Sequence, residues 1–371
     1  MSGPEQRRFL PRIESLRGIA ALTVAALHVT SSWVDEPSRG AVDALLLQAI
    51  KALTNGWGAV VAFFIISGFV LARSLDRDFS AVRFARARIF RLFPAAITTV
   101  GIFAVLFYGF GFSLYEGASF RPLNVAANML MLHADIDRVM WSMKAELAAS
   151  PLIFLCVWLY RRYGARPLIA IAAVLFGLSF VGQYCHAIGD DTNLAPLYAF
   201  PVGILLHFRG APLAQRLKPR TVTLGALAAV AAFCACSFFK PVGTLAMLVE
   251  CLSAAVLVLL VAYRAEAVIF APLDLPVVRF YGKISYSFYL LHPLSLWTAA
   301  RLTAYLFGQF GSLPVGVILL VSVVFSILFI TPAAYVSWRF VERPAIGWNS
   351  WWSKPKYDGA AVVPGEVKAL P

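Results

Sequence analysis

Charge is scarce in this 371-residue chain. Only 14% of its residues are Asp, Glu, Lys or Arg, 60% are hydrophobic, and the mean hydropathy is +0.76. Soluble domains usually carry about 25% charged and 45–50% apolar residues. The excess is too large for a water-soluble core, which excludes a soluble globular protein and leaves a polytopic membrane protein. Cysteine is sparse as well. Cys156, Cys185, Cys234, Cys236 and Cys251 form no CxxC pair and no even-numbered framework, so they read as packing residues rather than disulfide or thiolate-metal ligands. There is no zinc-ligand spacing, P-loop or RNA-binding signature, and no metal site is expected. No internal repeat is evident, which counts against transporter folds built from inverted halves. The N-terminus also lacks a secretory cleavage site, because Arg7, Arg8 and Arg12 lead directly into a full-length apolar segment.

Acidic residues are the scarcer sign, 19 against 32 Lys and Arg, for a net charge of +13. On a soluble protein this would favour nucleic acid. Here the basic residues lie between apolar runs, where topology and anionic lipid account for them.

Ten segments are long and apolar enough to span a bilayer: 17–34, 56–75, 92–112, 141–160, 166–183, 193–208, 221–239, 242–263, 281–303 and 313–341. The sixth is short, the last is long enough to tilt, and residues 122–133 are too short to cross and read as re-entrant or interfacial. Basic residues cluster before the first span and after the second, fourth and sixth, as in Arg77 to Arg91 and Arg209 to Arg220. The alternate loops carry acids such as Asp35, Glu36, Glu116 and Asp135. The expected fold is therefore an all-α polytopic bundle of about ten transmembrane helices with both termini cytoplasmic. Residues 12–345 form the membrane domain, and 346–371 a short polar tail expected to be disordered.

Within these spans the informative residues are ionisable. Arg17 and His28 are eleven positions apart. That is about three turns, so both share one helix face with a rise of about 16.5 Å. Ionisable groups inside spans face a bundle interior or a wet cavity, so this face is expected to line a path from the cytoplasm into the membrane. Glu146 lies about 7.5 Å below Trp141 on the fourth span, and His292 about 16.5 Å above Tyr281 on the ninth. Ser285, Tyr289 and His292 form one polar stripe. These depths predict that His28, His292 and Glu146 converge near one level. On the cytoplasmic side, "RFARARIFRLFP" supplies Arg83, Arg86, Arg88 and Arg91, either a positive-inside anchor or a site for phosphate. Ser67 and Gly68 in "FFIISGF" read as packing residues.

Taken together, "RIESLRGIAALTVAALH", "FFIISGFVLARSL", "RARIFRLFP", "WSMKAE", "YGKISYSFYLLHP" and "VERP" resemble, in order, the membrane-bound acyltransferase 3 family of bacterial enzymes that O-acylate surface carbohydrates. The resemblance covers about residues 12 to 344. It implies an acyl-CoA donor, most simply acetyl-CoA, on the cytoplasmic side of the bacterial inner membrane. It also implies a hydroxyl acceptor on an exopolysaccharide, lipopolysaccharide or lipid-linked glycan, and partners limited to lipid, donor and acceptor, with separate glycan-assembly proteins possible. It assigns catalytic importance to His28 and Arg17, and functional importance to Arg88, Arg91 and Glu146. With charge and depth added to the resemblance, Glu146 is expected to be catalytic and Arg88, Arg91 and Arg86 to bind acyl-CoA. Trp141, Lys144, Ser285, Tyr286, Tyr289, His292 and Glu14 become acceptor-binding or supporting residues. Two positions depart from the pattern. Glu14 stands where the family commonly has Asp, and Leu147 follows Glu146 where a second acid is frequent.

A neutral histidine suits acyl transfer in either of two roles, as the base for an attacking hydroxyl or as a carrier of the acyl group. Glu146 is a candidate to orient an imidazole or to bind acceptor hydroxyls. The competing reading is a proton-coupled transporter or glycan flippase, because the same intramembrane groups mark ion paths.

Overall fold

The computed structural model describes residues 4–182, 194–239 and 243–352, and among these all regular structure is helical. In chain order the α-helices are α1 (Pro4–Thr30), α2 (Ala41–Leu53), α3 (Gly56–Arg77), α4 (Ala81–Phe110), α5 (Pro122–Met129), α6 (Trp141–Tyr163) and α7 (Ala165–Gly182). They continue with α8 (Ala199–Gln215), α9 (Pro219–Ala235), α10 (Thr244–Tyr263), α11 (Pro276–Leu291), α12 (Pro293–Gln309), α13 (Val315–Ser337) and α14 (Arg343–Trp352).

Local chemistry sets several of these ends. The side chains of Asn55 and Ser80 accept from the backbone N–H groups of Gly58 and Arg83 and cap α3 and α4. Pro122, Pro219, Pro276 and Pro293 occupy the first turns of α5, α9, α11 and α12, where a missing N–H costs nothing. At the far end of α4, Gly111 has a φ of 68°, a left-handed conformation that side chains disfavour.

Among the described residues, eight helical stretches are long and apolar enough to cross a membrane: Pro11–Thr30, Ala41–Arg77, Ala81–Phe110, Arg138–Tyr163, Ala195–Gln215, Pro219–Phe238, Thr244–Tyr263 and Val315–Trp348. The expected ten differs from this in two places. The apolar part of α7, Ala165–Val181, is shorter than these eight. The segment 281–303 is not one helix but two, α11 and α12, which meet at His292 and Pro293. Proline ends the first because it offers no N–H to the carbonyl four residues back. Residues 122–133 hold only the short helix α5, too short to span. At the C-terminus, helix continues to Trp352, and the expected disordered tail otherwise falls outside the described residues.

The outer surface is apolar, with Ile169, Val174 and Leu178 of α7 and Val324, Leu328 and Phe329 of α13 all exposed. Such helices suit contact with lipid tails. With no hydrophobic drive between helices in lipid, close backbone approach and polar bonds hold them together. Helix α1 crosses α11 backbone to backbone: a methyl group at Gly18 would lie 2.5 Å from the amide nitrogen of Gly282. The crossing of α3 and α8 is equally tight, because a methyl at Gly203 would lie 2.1 Å from the Ile65 carbonyl oxygen. Ser295 bonds Ser326 (2.6 Å) and Thr303 bonds Ser322 (2.7 Å), joining α12 to α13. Asp43 of α2 accepts from the N–H groups of Val315 (3.0 Å) and Gly316 (2.8 Å), filling the open N-terminus of α13. These contacts leave α1 wedged between α11 and α3, with one cavity at its C-terminal end and a second beside Arg17 near its middle.

Candidate active site

His28 stands in the last turn of α1 and is half-buried, while His292 is fully buried where α11 gives way to α12. Nδ1 of His28 lies 2.9 Å from Nε2 of His292, with the ring planes within 17°. Nδ1 of His292 lies 2.6 Å from the carbonyl oxygen of Tyr289. That carbonyl would normally accept from the residue four places on, which is Pro293 and has no N–H, so the ring takes its place. The network then assigns the protons of the neutral rings. A carbonyl can only accept, so Nδ1 of His292 carries hydrogen and its Nε2 is an acceptor. Nδ1 of His28 therefore donates, and Nε2 of His28 keeps a free lone pair.

His28 lines a cavity of about 600 Å³ with Asn55, Trp57, Ser237 and Glu250 on its walls. Lys51 and Asp35 also line it and form an exposed ion pair at 3.6 Å, a contact that contributes little. Trp57 packs on Trp141, with ring centroids 5.5 Å apart. Beside the histidines, the Tyr289 hydroxyl meets the Ser142 hydroxyl at 2.8 Å.

Eleven residues earlier on α1, Arg17 faces a second cavity of about 230 Å³, which Arg88, Arg91, Glu146, Ser67 and Tyr286 also line. Here the charges are largely matched. Arg88 Nη2 donates to Glu146 Oε1 (2.9 Å) and its Nε to Ser150 (3.2 Å), with both charged side chains 7% exposed. The Ser67 hydroxyl donates to the same Glu146 oxygen at 2.9 Å. Arg91 pairs with the buried Glu342 of the "VERP" segment, whose other oxygen accepts from Ser287 at 2.7 Å. Arg91 also lies over the ring of Tyr286, 5.4 Å from its centroid, and the Tyr286 hydroxyl donates to the Leu92 carbonyl at 2.7 Å. Among the described residues lining this cavity, Arg17 is the cation with no carboxylate bonded to it.

The structure thus joins some of the expected residues and separates others. His28 and His292 meet as their depths required. Glu146 does not join them; it belongs to the arginine cavity. The level itself differs from the expected one. Trp141 does not mark the outer end of the span but packs on Trp57 beside the His28 cavity, so Glu146, five residues further along α6, reaches the Arg17 cavity, where it pairs with Arg88. Arg88 and Arg91 both reach the cavity, while Arg86 is half-buried and outside its lining. Lys144 and Ser285 are buried, Trp141 is half-buried against Trp57, and Glu14 is exposed beside the Gly282 contact. Sequence reasoning gives no site role to Asn55, Glu250 and Glu342, and reads Ser67 only as a packing residue. For Glu250 the signal is present, a lone carboxylate in an apolar run; Glu342 lies between Arg339 and Arg343, just past the last expected span, within the "VERP" segment.

A helical membrane protein with an oriented histidine pair and a separate intramembrane arginine cavity is the class this geometry defines. The acyltransferase domain family matches residues 10–333, and the chain belongs to that family, acyltransferase 3. It is accordingly an acyltransferase and a multi-pass membrane protein. It is 26% identical over 329 residues to the acyltransferase MdmB of Streptomyces mycarofaciens, covering 81% of this chain and 82% of that one. It is 27% identical over 184 residues to an O-acetyl transferase of Shigella phage Sf6, covering 44% of this chain and 53% of the phage protein. No solved structure matches the chain.

Proposed function

We propose that the chain moves an acetyl group from cytoplasmic acetyl-CoA to a hydroxyl of an exopolysaccharide, lipopolysaccharide or lipid-linked glycan. In this reading it sits in a bacterial inner membrane with both termini cytoplasmic, an arrangement that needs an even number of spans. Residues 12–345 form the catalytic membrane domain. The observation that carries the proposal is the arrangement on α1: an imidazole with a free Nε2 on one cavity, and Arg17 on a second cavity about 16.5 Å away along the same face. The O-acetyl transferase among the relatives supports the choice of acetyl and of an oxygen acceptor.

In this mechanism Arg17 receives a phosphate of CoA, for which a guanidinium fork is suited, and Arg88 and Arg91 keep the entrance cationic. The pantetheine arm runs toward His28 along the face of α1 that Arg17 and His28 share. At His28, Nε2 takes the proton of the acceptor hydroxyl while the oxygen attacks the thioester carbonyl, or Nε2 first accepts the acetyl group itself. On either route a carbon–oxygen bond replaces the carbon–sulfur bond, and CoA leaves as a thiolate that takes up the proton. His292 holds the His28 tautomer that both routes need.

The test is release of CoA from acetyl-CoA by purified protein in lipid nanodiscs, with mass spectrometry of the glycan product. His28→Ala should lower turnover by about 10²–10⁴-fold while the protein stays folded. Unchanged turnover in that variant would overturn the mechanism.

A further inference from the structure

The larger cavity contains a carboxyl group that the mechanism above does not use. Glu250 of α10 is 2% exposed and lines the same cavity as His28. One of its oxygens, Oε1, accepts from Asn55 Nδ2 at 2.9 Å. The other, Oε2, is buried and has no hydrogen-bond partner among the described residues. A buried, half-satisfied carboxyl group is costly, by about 1–3 kcal/mol or more for a charged group, unless a ligand completes it.

The orientation of this group is built in. Asn55 caps α3, so its Oδ1 is committed to the Gly58 N–H at 2.9 Å. Its Nδ2 must therefore face the other way, where it donates both to the Phe233 carbonyl (2.7 Å) and to Glu250 Oε1. One side of Glu250 is thus tied to the scaffold, and the other remains free to accept a hydrogen bond. Trp57 adds an aromatic surface on the same cavity, held by its packing on Trp141. A free carboxyl oxygen beside an indole face fits a ligand with one apolar face and an edge of hydroxyl groups, which describes a pyranose ring.

We propose that Glu250, oriented by Asn55, is the acceptor-positioning residue. Its Oε2 accepts a hydrogen bond from a sugar hydroxyl adjacent to the one that reacts, Trp57 carries the ring face, and His28 meets the reacting hydroxyl. This rests on the reading of the chain as an acyltransferase with a glycan acceptor.

Glu250→Gln separates this role from a structural one. Because Asn55 presents an N–H, the new side-chain amide must offer it the carbonyl oxygen, which keeps the link between α3 and α10. The cavity then faces an NH₂ that cannot accept from the sugar. Binding of methyl hexopyranosides to nanodisc protein should weaken by about tenfold or more in the variant, the loss of one hydrogen bond to a charged group. Thermal unfolding and acetyl-CoA binding should be unchanged. Equal sugar binding by wild type and variant overturns the proposal, as does wild-type protein that binds none of these sugars. Glu250→Ala, which also removes the Asn55 link, should lose sugar binding and thermal stability together; a loss of stability alone would mark the residue as structural. CoA release tests the broader reading separately: sugar binding without acetyl transfer refutes the activity but leaves the sugar site standing.

Discussion

Helix α1 presents two cavities that solve the problem of polarity in a membrane in opposite ways. Around Arg17 the charges arrive in pairs: Arg88 with Glu146, Arg91 with Glu342, and serine hydroxyls on both carboxylates. Around His28 the groups are mostly uncharged, and they are left open: a histidine ring with a free nitrogen, an indole, and a carboxyl group bonded on one side only. A paired cavity is rigid and keeps its shape without a ligand, and its remaining cation selects an anion. An open cavity is completed only when hydroxyl groups enter it. The contrast matches a site that holds a charged donor at one end and positions a neutral acceptor at the other.

The sharpest way to break the comparison is to unpair the charged cavity. Glu146→Ala strands Arg88 in a buried position and should cost about 3–5 kcal/mol, read by thermal or denaturant unfolding in nanodiscs. Replacing both partners by Met should restore most of that loss. In the open cavity, His292→Leu removes the acceptor that sets the His28 tautomer. It should lower kcat by about 10–100-fold with KM for acetyl-CoA unchanged, as loss of an orienting partner does elsewhere. Arg17→Gln should do the reverse, raising KM for acetyl-CoA about tenfold and leaving sugar binding intact. If Arg17→Gln weakened sugar and donor equally, the two cavities would not be separate sites.

The smallest effect lies outside both cavities. Hydrogen bonds from Arg12, then Arg279, hold the Asp274 carboxyl down at about 2. Its folded value lies below the usual carboxylate range near 4, so the contribution to stability is complete above about pH 4 and fades as pH falls toward 2. Asp274→Asn should lower stability slightly at neutral pH and flatten its decline between about pH 4 and 2, measured by unfolding across that window.

Much of this is legible in the chain itself. The spacing of Arg17 and His28 puts them on one face because an α-helix has a fixed period, and helical rise brings His292 level with His28. The same arithmetic misplaces Glu146, because it counts depth from Trp141 as the edge of the membrane, whereas Trp141 packs on Trp57 beside the His28 cavity. Averaged hydropathy also hides the break at Pro293 inside an apolar run. Yet that proline is what frees the Tyr289 carbonyl to orient the histidines. Ser67 reads as packing because its partner, Glu146, lies 79 positions away in the chain.

By itself, the sequence determined the helical class, the bilayer as solvent and the two ionisable anchors of α1, all of which follow from local period and transfer free energy. Only the tertiary structure decided how charges pair, which nitrogen of His28 is free, and that Glu250 shares a cavity with it. Those depend on distances between helices far apart in the chain, and low-dielectric surroundings make each such contact a specific match that composition cannot encode.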